Sequence, residues 1–176
     1  MLMSRLPEIT FHTRVRDSSI PGDNPFCWQD KTTTEIFAGK RSILFSLPAA
    51  FSPTCTDRHV PRYEELAHQF ITFGVDQIVC VAVNDAFVMF QWGKKIGINQ
   101  ILLLPDGNAE FTRRMGMLID RSVFGMGMRS WRYSLLLNGL EIETAFVEKG
   151  IDDPNPEDPL NVSDADTMLE HLQSLP

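Results

Sequence analysis

Residues 42–62 read SILFSLPAAFSPTCTDRHVPR, and they join the first buried strand that the sequence predicts to the helix that follows it. The segment 41–47 is a short apolar run of strand length, and apolar residues recur at helical spacing through 54–74. Pro61 interrupts that spacing, which predicts a kinked helix or one that restarts there. A single thiol, Cys55, lies at the junction. Because ligands and chemistry collect at the carboxyl ends of strands in α/β sheets, Cys55 is a candidate functional residue.

The elements predicted after this junction alternate between strands and helices. Apolar runs predict strands, helical spacing behind a polar cap predicts helices, and Asn138-Gly139 predicts a hairpin. The predicted strands are 41–47, 77–83 and 100–107 with a hairpin over 133–147, and the predicted helices are 54–74, 84–95 and 162–175. Helix crossovers make the first three strands parallel, whereas the hairpin is antiparallel. This order predicts an α/β protein of thioredoxin-like layout, with a mixed central β-sheet flanked by helices.

The remaining segments predict turns and loops within one domain. Residues 1–40 are expected to form short strands and turns, and the Pro/Asp-rich segment 151–161 is expected to be a loop. Ser163 is the expected N-cap of the last helix. A length of 176 residues suits one domain, so the expectation is a single thioredoxin-like domain over residues 1–176.

The composition argues against several classes of partner. A net charge of −7 disfavours a nucleic-acid binder, which usually carries a basic face. No apolar run approaches the ~20 residues that a membrane helix needs. The first residues, MLMSRLPEITFHTRV, lack the continuous apolar core of a secretory signal, which predicts a cytoplasmic protein.

The three cysteines, Cys27, Cys55 and Cys80, are too few and too scattered for a disulfide framework. The histidines form no cluster at metal-ligand spacing, so no metal site is expected. Cys55 falls in the first turn of a predicted helix, where the positive end of the helix dipole favours thiolate over thiol and therefore a nucleophile. The alternative is a small buried side chain that fills a gap. Cys80, inside an apolar strand, is interpreted as structural, and Cys27 as incidental.

Pro48, Ser52 and Cys55 form the pattern P-x-x-x-S-x-x-C, which resembles the signature of the peroxiredoxins. The stretch 48–61, PAAFSPTCTDRHVP, is similar to the type II, peroxiredoxin-five-like subfamily. Ala49 replaces the usual glycine of that subfamily, and Ser52 its commoner threonine. Further similar blocks, in the same order, are VNDAFVMFQW (83–92), DGNAEFTRRMGM (106–117) and GMGMRSWRYSLLLNG (125–139).

The resemblance implies a thiol-dependent peroxidase that reduces hydrogen peroxide and alkyl hydroperoxides. It assigns Cys55 as the peroxidatic nucleophile that becomes a sulfenic acid, Ser52 as the hydroxyl partner of thiolate and peroxide, and Pro48 as a shield against water. It assigns Arg129 as the cation, with Arg132 as the weaker candidate. It implies a homodimer with part of the Met-rich segment 115–128 at the contact, and no prosthetic cofactor.

The thiol that restores Cys55 is left open by the sequence. Type II plant-like peroxiredoxins also carry a cysteine at the position of Cys80, so a Cys55–Cys80 disulfide competes with direct resolution by glutathione or glutaredoxin, which we favour. Thioredoxin is the other external reductant that the family implies. GDNPF (22–26) and NVSDADTMLEHL (161–172) resemble the peroxidase module of bacterial peroxiredoxin–glutaredoxin fusions.

Two other functions are consistent with the same thiol. The run Ser52-Pro-Thr-Cys55 has CxxC spacing with a hydroxyl in place of the first thiol, which is compatible with a monothiol disulfide oxidoreductase. A redox-sensing or holdase protein, in which oxidation of Cys55 changes the assembly, is the non-enzymatic alternative.

Overall fold

The computed structural model describes residues 3–153 and 157–176, so part of the predicted loop 151–161 lies outside the described residues. The strands are β1 (Thr10–Arg16), β2 (Phe26–Thr32), β3 (Arg41–Ser46), β4 (Gln77–Ala82), β5 (Ile101–Pro105), β6 (Leu118–Asp120), β7 (Met128–Ser130), β8 (Tyr133–Asn138) and β9 (Glu141–Val147). The α-helices are α1 (Thr33–Phe37), α2 (Val60–Glu65), α3 (Ala67–Thr72), α4 (Ala86–Ile96), α5 (Glu110–Arg114) and α6 (Ala165–Ser174).

The central sheet has the strand order β5-β4-β3-β8-β9. In this sheet β3, β4 and β5 are parallel to one another. β8 runs antiparallel to β3, and β9 runs antiparallel to β8. The predicted α/β fold with a mixed central sheet is therefore confirmed. The register pairs Ser46, at the end of β3, with Tyr133, at the start of β8. The residue that precedes Tyr133 consequently lies at the edge from which the chain leaves β3.

The central strands are buried on both faces. After their first residue, β3 and β4 are buried throughout, as expected for near-continuous apolar strands covered on both sides. One face of the sheet packs against α2, α3 and α6 in a core that contains Cys55, Cys80 and Tyr63. The other face packs against the N-terminal segment, α1 and α5, with Phe11 and Trp131 among its buried side chains.

The helical region after β3 consists of three segments: a π-helical turn, α2 and α3. Cys55–His59 forms a π-helical turn in which the Val60 N–H bonds the Cys55 carbonyl, and α2 follows directly. We attribute the wide turn to Pro61, which has no N–H and whose ring would clash with the carbonyl four residues earlier in a regular α-helix. Pro61 lies in the first turn of α2, and the disturbance that the sequence predicted there takes the form of a widened turn before it, not of a restarted helix. A second break at Leu66, between α2 and α3, was not predicted.

The N-cap of the last helix lies one residue after the predicted one. The N-cap of α6 is Asp164, whose side chain accepts from the Thr167 N–H, so the prediction of Ser163 was wrong. Ser163 is buried, and its N–H and hydroxyl both donate to Glu148. A side chain already engaged in the interior cannot turn back to cap the helix.

Two short elements precede the hairpin. The strands β6 and β7 pair in a small antiparallel sheet of their own, and Arg129 lies on β7. Among the described residues, none of the helices combines the length and apolar character that a membrane span needs.

Candidate active site

The loop between β3 and Cys55 is held in place by burial and by a hydrogen bond to a neighbouring loop. Pro48 is buried where β3 ends, and the Ala50 N–H donates to Asn84 Oδ1 at 2.9 Å, which ties the loop to the segment that leaves β4. Phe51 adopts a φ of 64°, an uncommon value for a residue with a side chain. These constraints hold Cys55 at the carboxyl edge of the sheet, where the sequence predicted it.

The Cys55 side chain is fully buried, and its sulfur faces a guanidinium. The Nη2 of Arg132 lies 3.5 Å from Cys55 Sγ. Arg132 directly precedes β8, and the pairing of Tyr133 with Ser46 brings it to the edge where Cys55 lies. A cation at this distance stabilises a thiolate, which is the nucleophilic form of cysteine.

Arg132 is held from two sides. Its Nη1 is 2.8 Å from His59 Nδ1, and its Nη2 also donates to the Asp158 carboxylate. Burial opposes its charge, but the neighbouring Cys55 and Asp158 outweigh burial and raise the pKa of the guanidinium. Arg132 Nε, also buried, has no hydrogen-bond partner among the described residues. The side chain is thus charged and retains one free donor.

His59 is a neutral imidazole in this setting. Burial, reinforced by the charge of Arg132, lowers the pKa of His59 to about 3. Its Nε2 lies 3.1 Å from the Ser163 carbonyl, which can only accept, so Nε2 carries the proton. Nδ1 is therefore the acceptor for Arg132.

The buried neutral His59 predicts an acid-sensitive stability. An unfolded histidine binds a proton near pH 6.5, whereas folded His59 does so only near pH 3, so the free energy of unfolding falls as the pH is lowered from 6.5. Between pH 6.5 and 4.5 this contribution approaches about 1.4 kcal/mol per pH unit. Urea unfolding across this range measures the slope, which His59→Gln is expected to flatten. His68→Gln, at an exposed position on α3, is the matched control, and an equal flattening there would contradict the assignment.

Ser52 lies one turn before Cys55. Its Oγ donates to the Ala49 carbonyl at 2.9 Å, and its own carbonyl accepts from the Thr56 N–H at 3.0 Å. Within residues 3–153 and 157–176, no hydrogen bond joins Ser52 to Cys55. Ser52 is half-buried, and its hydroxyl is engaged with the backbone.

The predicted position of Arg129 differs from the observed one. Its Nε donates to the Met126 carbonyl and its Nη1 to the Val83 carbonyl, both at 2.7 Å. In the described part of the chain it makes no hydrogen bond to Cys55. The guanidinium at the sulfur is that of Arg132, the weaker candidate, because Arg132 adjoins the central strand β8 whereas Arg129 lies on β7 in a separate sheet.

Cys80 lies in the middle of β4, paired with Phe45 on one side and Leu103 on the other. It is fully buried in the same core as Cys55. Burial raises the pKa of the Cys80 thiol, and Cys55 raises it further, while Arg132 acts in the opposite direction. Cys80 is thus a protonated thiol within a central strand.

Two residues that contact Arg132, His59 and Asp158, were not assigned to the site from the sequence. The four-residue spacing of Cys55 and His59 indicates that the two side chains share a helix face. It does not indicate that His59 contacts Arg132. Asp158 lies within the Pro/Asp-rich segment 151–161, and no pattern there singles out one carboxylate. Among the described residues, His, Cys, Asp and Glu form no group of three that could hold a metal ion.

Known proteins resemble this chain over nearly its whole length. Residues 28–169 match the Redoxin family. The chain is 58% identical over 173 residues to a peroxiredoxin of Synechocystis sp., covering 98% of this chain and 92% of that protein. It is 48% identical over 169 residues to the hybrid peroxiredoxin of Haemophilus influenzae, covering 96% of this chain and 64% of that protein.

A solved structure agrees with the sequence matches. The reduced Prx3 of Vibrio vulnificus, in complex with hydrogen peroxide, superposes with a TM-score of 0.82 at 36% identity, over 99% of this chain and 96% of that chain. Identities of this size over whole domains imply shared chemistry as well as shared topology. The chain therefore belongs to the peroxiredoxins, the thiol-dependent peroxidases, and within them to the type II, peroxiredoxin-five-like kind.

Proposed function

We propose that Cys55 is the peroxidatic cysteine of this peroxidase and that Arg132 is its activating cation. The observation that carries the proposal is the 3.5 Å approach of a buried guanidinium to a buried sulfur. The thiolate attacks one peroxide oxygen, the S–O bond forms as the O–O bond breaks, and the sulfur becomes a sulfenic acid. The other oxygen leaves with the bonding electron pair and takes a proton to become water or an alcohol.

The donors around Cys55 suit the charge that develops in this step. Negative charge moves from sulfur to the leaving oxygen, and fixed donors in a water-poor site stabilise it. Arg132 Nε, which is buried and unpartnered among the described residues, is the donor we assign to a peroxide oxygen. Ser52 supplies a second donor once its hydroxyl turns from the Ala49 carbonyl, and buried Pro48 limits the access of water.

The substrates that we propose are hydrogen peroxide and alkyl hydroperoxides. Hydrogen peroxide is close to water in size and needs little opening to reach a buried sulfur. Hydrogen peroxide is also the compound named with the Vibrio vulnificus relative. Stopped-flow fluorescence tests this proposal, because Trp92 donates to Thr56, the neighbour of Cys55, at 3.1 Å. A reduced protein that reacts no faster than free cysteine would favour a disulfide oxidoreductase or a redox sensor instead.

An external thiol, glutathione or glutaredoxin, is the reductant that we favour. The relation to a hybrid peroxiredoxin and the resemblance to peroxiredoxin–glutaredoxin fusions support this choice over thioredoxin. Cys55 is buried, so a bulky thiol reaches the sulfenic acid only after the first helical turn opens. Cys80 is a poor internal partner because it is held within β4 by neighbours on both sides.

The Cys80→Ser variant tests this route. We expect it to retain peroxide turnover with glutathione and glutaredoxin within about twofold, since the resolving thiol is external and the buried hydroxyl lowers stability rather than turnover. Turnover is followed through NADPH consumption in a coupled glutathione reductase assay. Complete loss of turnover in a folded variant would identify an internal Cys55–Cys80 disulfide as the resolving step.

We propose that the whole chain acts as one peroxiredoxin domain in the cytoplasm and pairs as a homodimer. The three cysteines, Cys27, Cys55 and Cys80, are too few and too scattered for a disulfide framework, as in proteins of a reducing compartment. Val123 and Phe124 are 70% and 61% exposed in the segment that the family resemblance places near a dimer contact. We expect light scattering to show a dimer that the V123S/F124S double variant weakens, and a monomeric wild type would contradict the proposal.

A further inference from the structure

A buried carboxylate lies just beyond β9, and the reaction described above does not use it. Glu148 is 3% exposed, and its Oε1 accepts from the backbone N–H groups of 161, 162 and 163 at 2.8, 2.9 and 2.9 Å. The Ser163 hydroxyl also donates to Oε1 at 2.8 Å. Burial alone would raise the pKa of Glu148, but these donors outweigh burial and lower it. The carboxylate is ionised and fixes the segment 161–163.

The backbone of Glu148 is tied to the segment that carries Arg132. The Glu148 N–H donates to the Arg132 carbonyl at 3.2 Å, and the Glu148 carbonyl accepts from Trp131 Nε1 at 2.8 Å. Glu148 thus joins two stretches that are far apart in sequence, the start of β8 and the segment before α6. The first stretch supplies Arg132 to the Cys55 site, and the second supplies the Ser163 carbonyl that contacts His59.

The segment fixed by Glu148 presents one carbonyl to the site. The Ser163 carbonyl accepts from His59 Nε2 at 3.1 Å and from the Tyr63 hydroxyl at 3.0 Å. A carbonyl at Nε2 determines the tautomer of the imidazole and leaves Nδ1 as an acceptor. Nδ1 then holds Arg132 Nη1 at 2.8 Å, with Nη2 facing the sulfur.

We propose that Glu148 is a positioning residue for Arg132 and acts through Ser163 and His59. Its carboxylate holds the Ser163 carbonyl in place, that carbonyl fixes the tautomer and orientation of His59, and His59 Nδ1 directs the guanidinium toward Cys55. Glu148 does not touch the reacting atoms. The inference rests on the proposed roles of Cys55 and Arg132.

The charge and shape of Glu148 both matter for this role. A neutral amide in its place keeps the volume but gives the four donors a weaker acceptor, since hydrogen bonds to a charged group are roughly twice as strong. The segment 161–163 can then shift and take the Ser163 carbonyl away from His59. A displacement of about 1 Å at a catalytic group can lower a rate by up to about 10²-fold.

The test is Glu148→Gln, with Glu143→Gln as the control. Glu143 lies on β9, the edge strand that Glu148 follows, and its carboxylate pairs with Arg41 away from the site. In Glu148→Gln we expect the rate constant for peroxide oxidation of Cys55 to fall roughly tenfold or more. The pH at which alkylation of Cys55 by iodoacetamide reaches half its plateau should rise, because a displaced cation stabilises the thiolate less. Glu143→Gln should change neither quantity.

A double-mutant cycle with His59→Gln separates the relay from a general loss of packing. If Glu148 acts through His59, the double variant loses no more rate than His59→Gln alone; additive losses would overturn the relay.

An unchanged rate constant and alkylation profile in folded Glu148→Gln would overturn the proposal. If Glu148→Gln does not fold, Ser163→Ala, which removes one donor and keeps the carbonyl, should show smaller changes in the same direction, and their absence would overturn it. Full peroxidase activity in Cys55→Ser would instead refute the proposed function.

Discussion

Replacement of Cys55 by serine is expected to reduce peroxide consumption to the background of the assay. A serine hydroxyl is not ionised near neutral pH and is a far weaker nucleophile toward oxygen than a thiolate. The substitution keeps the volume, and the buried site contains hydrogen-bonding groups, so the fold should be retained. Consumption of hydrogen peroxide with glutathione and glutaredoxin present measures the effect.

The other two thiols provide the controls for this variant. Cys27 is half-buried on β2, outside the core that contains Cys55, and Cys80 is held within β4. The Cys27→Ser variant is expected to keep its rate, as is Cys80→Ser in the presence of an external thiol. A Cys55→Ser protein that still consumes peroxide above background would mean that another group carries the chemistry.

Replacement of Arg132 by glutamine is expected to lower the rate constant for Cys55 oxidation by about 10²–10³-fold, the loss typical of removing one preorganised donor from a charge-stabilising site. Two effects combine, because the thiolate loses its neighbouring cation and the peroxide oxygens lose donors. Arg132→Lys keeps the charge but not the planar fork, so an intermediate loss is expected. Stopped-flow fluorescence on the reduced protein gives the rate constant, and circular dichroism verifies the fold.

Arg129→Gln is the matched comparison, because it removes the same group three residues earlier. Arg129 bonds the Val83 and Met126 carbonyls, so its loss should disturb β7 and its neighbours rather than the sulfur. We expect the rate constant for Cys55 oxidation to stay within a few-fold of wild type. A larger loss in Arg129→Gln than in Arg132→Gln would restore the assignment that the sequence suggested.

The sheet could be predicted because its strands carry local signals. Buried parallel strands are continuous apolar runs, as in 77–83. The hairpin was indicated by Asn138-Gly139, and its two turn residues are Gly139 and Leu140, with Gly139 at the positive φ that the first turn position requires. The break at Leu66 and the π-helical turn were harder to predict. Pro61 indicates that the helix is disturbed, but not whether the disturbance widens a turn or bends the axis.

The cysteine of the site could be predicted, whereas its partners depend on tertiary register. Position and motif both indicate Cys55, but Arg129 and Arg132 lie in one short segment, and which of them meets the sulfur depends on where β8 begins. The pairing of Tyr133 with Ser46 decides this, and that register is not visible in the local sequence. Asp158 contacts Arg132, and Glu148 contacts the segment 161–163, and the sequence carries no periodic signal for either of these contacts between distant stretches.

Mass spectrometry of the reduced wild-type protein, treated with one equivalent of hydrogen peroxide and trapped with dimedone, tests the central claim most directly. Dimedone adds to sulfenic acids, so the labelled peptide identifies the thiol that cleaved the peroxide. We predict that the label is on Cys55 and is absent from Cys27 and Cys80. A label on Cys80 or Cys27 with Cys55 unmodified would contradict Cys55 as the peroxidatic cysteine.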